Sequence, residues 1–133
     1  PANIGVVNSR WVKLLDFGTA RLLKQNALPL GGGSPAYMSA GAIKAQPLDL
    51  RTDMWALGVT LLEALCGYNL FQRATLNETY AAVLATTELD VDTLVPEISV
   101  DLKRIISRCL SKSPTLGFTS TQEIETEIAN IGT

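Results

Sequence analysis

The segment Leu50–Cys66, LRTDMWALGVTLLEALC, limits what this chain can fold into more than any other. Arg51 and Asp53 stand at its front and Glu63 near its back. Met54, Trp55, Leu57, Val59, Leu61, Leu62 and Leu65 leave no helical face clearly polar. A helix that is apolar all round belongs in the middle of a domain, covered on several sides by other elements. It is too short and too interrupted to cross a membrane, which takes roughly 20 consecutive apolar residues. Gly67 follows where a C-terminal glycine would end the helix. This segment is expected to be the post on which the other elements are hung.

The remaining sequence supplies those elements. Ile4–Val7 and Trp11–Leu15 are short apolar and β-branched runs split by Asn8-Ser9-Arg10, which reads as a hairpin. From Thr19 to Gly33 periodicity is lost, and Pro29 with Gly31-Gly32-Gly33 marks a loop. Ser39–Ala45 has room for one or two helical turns before Pro47. Thr75 and Glu78 form a capping-box pattern that opens a helix running to about Ala85. After Ser99, the positions Leu102, Ile105, Ile106, Cys109 and Leu110 make one apolar stripe at helical spacing. Ser120 with Glu123 opens a last helix with Ile124, Ile128 and Ile131 as its stripe. The expected fold class is mainly α, with a short N-terminal β-hairpin, a long loop and four or five helices.

Composition narrows the functions. The chain has 133 residues, a net charge of −2, and 47% hydrophobic residues. That is one domain or a piece of one, with no electrostatic basis for binding nucleic acid and no disorder signature. Lys103, Arg104, Arg108 and Lys112 cluster, but at helical spacing opposite apolar residues, and are expected to form a solvated face. The two cysteines, Cys66 and Cys109, lie in apolar runs; reduced thiols in a cytoplasmic protein, or a single disulfide, both fit. Without histidine or paired-cysteine spacing there is no pattern for zinc. The opening at Pro1, without methionine and almost directly into strand-like sequence, reads as the edge of a longer chain.

Chemistry is concentrated at the start. Asp16-Phe17-Gly18 directly follows the second strand, and an aspartate at a strand end before a glycine suits a hard cation. Mg²⁺ is commonly held by one or two carboxylates together with substrate phosphates. The hairpin would bring Asn3, a second oxygen donor, to the same end as Asp16. A turn residue at Asn3 and a cap or turn at Asp16 are the plainer alternatives.

Several motifs in order resemble the protein kinase family. Pro1-Ala2-Asn3-Ile4 resembles the end of the catalytic loop, and Val12–Gly18 the metal-binding strand with its aspartate. Gly33–Ser39 resembles the substrate-receiving segment, Asp53–Gly58 the central-helix motif, and Cys109–Pro114 the late helix-to-loop pattern. The wording is most similar to bacterial Ser/Thr kinases of the eukaryotic type. The resemblance implies a partial kinase domain over 1–133, a C-lobe segment lacking the N-lobe and the first C-lobe helices. Its parts would be the metal-binding hairpin (1–18), the activation and substrate loop (19–48), the central helix (49–67) and the late helices (68–133).

It also implies roles. Asn3 and Asp16 would coordinate Mg²⁺ bridging the phosphates of ATP, Phe17 would pack in a regulatory core, and Gly18 would let the loop pivot. Ser34 would contact the catalytic loop and help set Ser/Thr preference, with Tyr37 in the same substrate loop. Asp53 would hold the catalytic-loop backbone, or simply favour its helix N-terminus through the dipole; Trp55 and Gly58 would support the same motif. The partners implied are a protein substrate and the absent N-lobe and C-lobe helices, with no nucleic acid and no membrane segment. The general base would lie before Pro1, so the 133 residues alone are expected not to catalyse. Part of the Met54–Leu65 surface should then lie uncovered.

The chain departs from the family pattern where Ala40-Gly41 replaces Pro-Glu and where Gly117 replaces an arginine. In the family these two charges form a buried ion pair between the substrate loop and the late helices. Losing one partner would strand a charge at a cost of roughly 3–5 kcal/mol, whereas losing both strands none. A working Ser/Thr kinase segment and a pseudokinase or docking module are both compatible with this. From Ala20 to Gly33 there is no Ser, Thr or Tyr, so regulation by phosphate in that interval is not expected.

Overall fold

The computed structural model describes residues 1–17, 20 and 34–132. Gly18 and nearly all of the acceptor-free loop therefore lie outside the described residues. Strands β1 (Ile4–Asn8) and β2 (Trp11–Leu14) pair antiparallel, with Ile4 opposite Leu14 and Val6 opposite Val12. The Asn8 side-chain oxygen accepts from the backbone N–H groups of Arg10 and Trp11 and so closes the turn. The expected hairpin is present, one residue longer in its first strand and one shorter in its second. It carries exposed Val6, Val7, Trp11, Val12, Leu14 and Leu15.

A 3₁₀ turn at Pro35–Tyr37 leads into α1 (Ala40–Ile43), whose Ser39 cap accepts from Ala42 N–H. Helix α2 spans Leu50–Cys66. Asp49 and Thr52 make a reciprocal capping box at its front, and Gly67 ends it at φ 82°. Then follow α3 (Leu76–Ala85), the short α4 (Val91–Leu94), α5 (Val100–Cys109) and α6 (Thr121–Ala129). The Thr75–Glu78 box closes on both arms, and Ser99 and Ser120 cap α5 and α6 as their sequences predict. The four-residue α4, capped by Asp90, has no counterpart in the sequence reading. It is too short for a hydrophobic period to reveal it.

Helix α2 separates two apolar clusters. Trp55, Val59 and Leu62 join Phe71, Val83, Val91, Val95, Ile106 and Leu110 on one side. Met54 joins Ile105, Cys109, Phe118 and Ile124 on the other. Trp55 meets Phe71 at 5.5 Å between ring centroids. The strip left over is also visible: Leu57 and Leu61 are only half-buried and Leu65 is exposed. Among the described residues no helix is long and apolar enough to span a membrane. Both cysteines are free thiols, so the disulfide alternative drops out. Cys109 is buried, and that burial pushes its thiol up to about 12, while Cys66 is half-buried.

Two expectations need correcting. Ile128 does not belong to the buried stripe of α6; it is 48% exposed. The face of α6 turned to α5 carries Glu123 and Glu127, both bound to Arg108, and Ile124 beside them. Holding those carboxylates inward turns Ile128 out. Nor do the four cations of the α5 region form a merely solvated face. Arg108 binds Glu123 and Glu127, donates to the Leu116 and Gly117 carbonyls, and lies 4.1 Å from the centre of the Phe118 ring. Lys112 donates to the Val83 and Thr86 carbonyls, joining the turn after α5 to the end of α3.

Gly58 sets the distance between α2 and α5. A Cβ there would lie 2.8 Å from Cys109 Cβ and 2.8 Å from Leu110 Cγ, closer than side-chain atoms pack. Gly58→Ala is expected to lower stability by about 1–3 kcal/mol, from overpacking at a helix contact. Urea unfolding with an unchanged slope and a lower midpoint would show it; an unchanged midpoint would mean the helices part without strain.

Candidate functional site

The hairpin brings Asn3 and Asp16 to its open end. The Leu15 N–H donates to the Asn3 carbonyl at 2.8 Å, so Asp16 directly follows a residue paired with Asn3. Asp16 has φ 58°, a left-handed conformation that a non-glycine residue adopts at some energetic cost. Such backbone is concentrated at functional sites, where surrounding structure holds it in place. A side-chain amide oxygen and a carboxylate are hard donors of the kind Mg²⁺ takes, so this residue pair fits such an ion. Phe17 beside them is 68% exposed, and no element among the described residues covers it.

The Ser34–Met38 segment is tied to the body through Tyr37. Its hydroxyl donates to Glu63 of α2, and the Asn69 side-chain amide donates to the same carboxylate oxygen at 3.1 Å. Asn69 in turn accepts from the Phe71 and Gln72 N–H groups. Burial, and then the hydrogen bond to Glu63, raise the Tyr37 phenol above its ordinary range. Ser34 is exposed and accepts from Tyr37 N–H through its backbone carbonyl. Tyr80 O–H points to Met38 Sδ at 3.7 Å, adding a contact from α3. Sequence reasoning passed over Glu63 and Asn69, although a lone carboxylate far inside an apolar helix signals a buried partner.

Asp53 stands in the first turn of α2 and remains open to water. The mass of protein around it nevertheless raises its carboxyl above the usual range by desolvation. Trp55, two residues on, is 3% exposed, and its indole N–H has no hydrogen-bond partner among the described residues. Ala40 and Gly41 open α1, with Gly41 facing Gln46: a Cβ there would be 3.2 Å from Gln46 Oε1. Gly117 is buried in the turn before α6, and a Cβ there would meet the Arg108 carbonyl at 3.7 Å.

The family model for the protein kinase domain matches residues 1–128, and the chain belongs to that family. It is 36% identical over 115 residues to the smooth-muscle myosin light chain kinase of Gallus gallus, covering 84% of this chain and 6% of that protein. It is 28% identical over 139 residues to a probable serine/threonine-protein kinase of Clostridium acetobutylicum, covering 98% of this chain and 20% of that protein. The serine/threonine-protein kinase TIO of Arabidopsis thaliana is 34% identical over 116 residues, 86% of this chain and 8% of its own length. The chain thus spans a fifth or less of these relatives, and they come from animal, bacterial and plant sources alike.

Two outcomes follow from the contacts. Tyr37→Phe removes the donor to Glu63 and is expected to cost about 1–2 kcal/mol, with faster amide exchange at Ser34–Met38. Unchanged exchange there would show that Pro35 and the Met38–Tyr80 contact hold the segment alone. Glu123 offers a pH test. The Thr119 N–H, and then Arg108, hold its carboxyl down from 4.5 to about 2. A depressed carboxyl stabilises the fold above its unfolded value and loses that contribution as pH falls from about 4.5 toward 2. Glu123→Gln is therefore expected to flatten the fall in stability over that interval, measured as unfolding midpoints against pH.

Proposed function

We propose that this chain is the C-lobe segment of a Ser/Thr protein kinase that transfers the γ-phosphoryl group of ATP to protein hydroxyls. The supporting observation is that Asn3 pairs with Leu15, the residue before Asp16, at one hairpin end, with Asp16 held left-handed. In this reading both residues hold Mg²⁺, which when bound would neutralise charge on the phosphates. Phe17 and the exposed apolar hairpin would pack against the N-lobe and the earlier C-lobe helices, as would the open strip of α2. An isolated two-stranded hairpin is marginal in water, and so many exposed apolar side chains on one fit a covered role. Asp53 would accept from the catalytic-loop backbone. Ser34 and Tyr37 would present the substrate loop, whose rigidity comes from the Tyr37–Glu63–Asn69 contact.

Gly41 and Gly117 favour a second reading, a pseudokinase or docking module. The test is made on the protein with its preceding segment in place, against an Asp16→Asn variant. A kinase is expected to bind nucleotide in a Mg²⁺-dependent way and to lose more than about 100-fold in phosphoryl transfer on that substitution. Absence of Mg²⁺-dependent nucleotide binding in the unsubstituted protein would select the docking module.

A further inference from the structure

Asn69 lies in the loop between α2 and α3, half-buried, and its side-chain amide is engaged at both ends. Its Oδ1 accepts from the Phe71 N–H at 2.8 Å and from the Gln72 N–H at 3.0 Å. Its Nδ2 donates to Glu63 Oε2 at 3.1 Å, the same atom that receives the Tyr37 hydroxyl. These partners fix which way the amide faces. Turned over, it would set N–H against N–H and oxygen against carboxylate. Only a carboxamide meets both demands, because an aspartate cannot donate and an apolar side chain can do neither. Both donors to the half-buried Glu63 carboxylate are neutral, and loss of either leaves it dependent on the other.

Tyr37 carries the contact onward. Its N–H donates to the Ser34 carbonyl at 3.0 Å, and the Met38 N–H donates to the Pro35 carbonyl at 3.2 Å. Met38 Sδ also receives the Tyr80 hydroxyl from α3. The segment is thus held to α3 directly, and to the loop before α3 through Glu63 and Asn69. We propose that Asn69 is a positioning residue: acting through Glu63, it couples the loop before α3 to the Ser34–Met38 segment. The consequence for a protein substrate rests on the kinase reading above; the coupling itself does not.

Asn69→Asp separates this role from a purely local one. It keeps an acceptor for the Phe71 and Gln72 N–H groups, but sets a second carboxylate against Glu63 in place of a donor. Hydrogen exchange on the full chain is expected to quicken about tenfold at the Tyr37 and Met38 amides, with little change at Phe71 and Gln72. Adding Glu63→Gln should restore slow exchange. The amide introduced there has two hydrogens, one for the new carboxylate and one for the Tyr37 oxygen, which accepts as readily as it donates. In the protein with its preceding segment in place, Asn69→Asp is expected to raise KM for a peptide substrate about three- to tenfold. KM for ATP should stay where it was. Quickened and rescued exchange in a protein that transfers no phosphate would uphold the coupling and retire the kinase reading. Exchange at Tyr37 and Met38 that is unchanged in Asn69→Asp, or that Glu63→Gln does not restore, overturns the proposal, as does a KM for ATP that rises with that for peptide.

Discussion

The close approach of α2 and α5 at Gly58 is the constraint on which the rest of this structure depends. Helix α2 has no polar face to give to water, so its sides must be claimed by separate elements. Helix α5 claims the largest part, and it does so because Gly58 leaves space for Cys109 and Leu110. Ile106 and Leu110 then continue the cluster around Trp55, while Ile105 and Cys109 continue the one around Met54. Helix α5 therefore belongs to both clusters, and α6 can be added only on the side that α5 defines. The buried thiol of Cys109, held far from its reactive form, fits a residue kept for its shape.

Polar contacts fix what this apolar frame leaves loose. Arg108 gathers Glu123, Glu127 and the Leu116 and Gly117 carbonyls, joining the late loop to α5 and α6 from one guanidinium. Such a fork suits several acceptors at once, which an ammonium does not. Glu63 does the same work on the opposite side, receiving Tyr37 and Asn69. The Pro35–Met38 segment and the late helices are thus each anchored locally. Neither anchor uses the position of Gly41 or Gly117 as a charged partner.

The longer helices were legible in the sequence because their signals are local, whereas the four-residue α4 was not. Thr75 with Glu78, Ser99, Ser120 and Gly67 each act within one helical turn, and the structure uses all four. The hairpin was legible from its two apolar runs and the Asn8 turn. The errors arose where side chains reach across the fold. Arg108 and Lys112 were read as solvated from their spacing, yet their partners lie on α6 and at the end of α3, distant in sequence. Ile128 was read as core because apolar period alone cannot show that Glu123 and Glu127 turn α6 the other way. At the candidate site, the pairing of Asn3 with the strand end before Asp16 follows from the hairpin register and was foreseeable. The left-handed backbone of Asp16 was not, since no pattern of residue types encodes it.

The paired glycines bear on the family comparison in a physical way. A buried ion pair holds together only while both charges are present, and removal of one is far costlier than removal of both. Gly41 and Gly117, both uncharged, strand no charge at either position. Trp55 stays buried with an N–H unmet among the described residues, a penalty of about 1–3 kcal/mol, and Lys112 stays close to its ring. The Trp55–Phe71 ring contact, at 5.5 Å between centroids, works against that penalty.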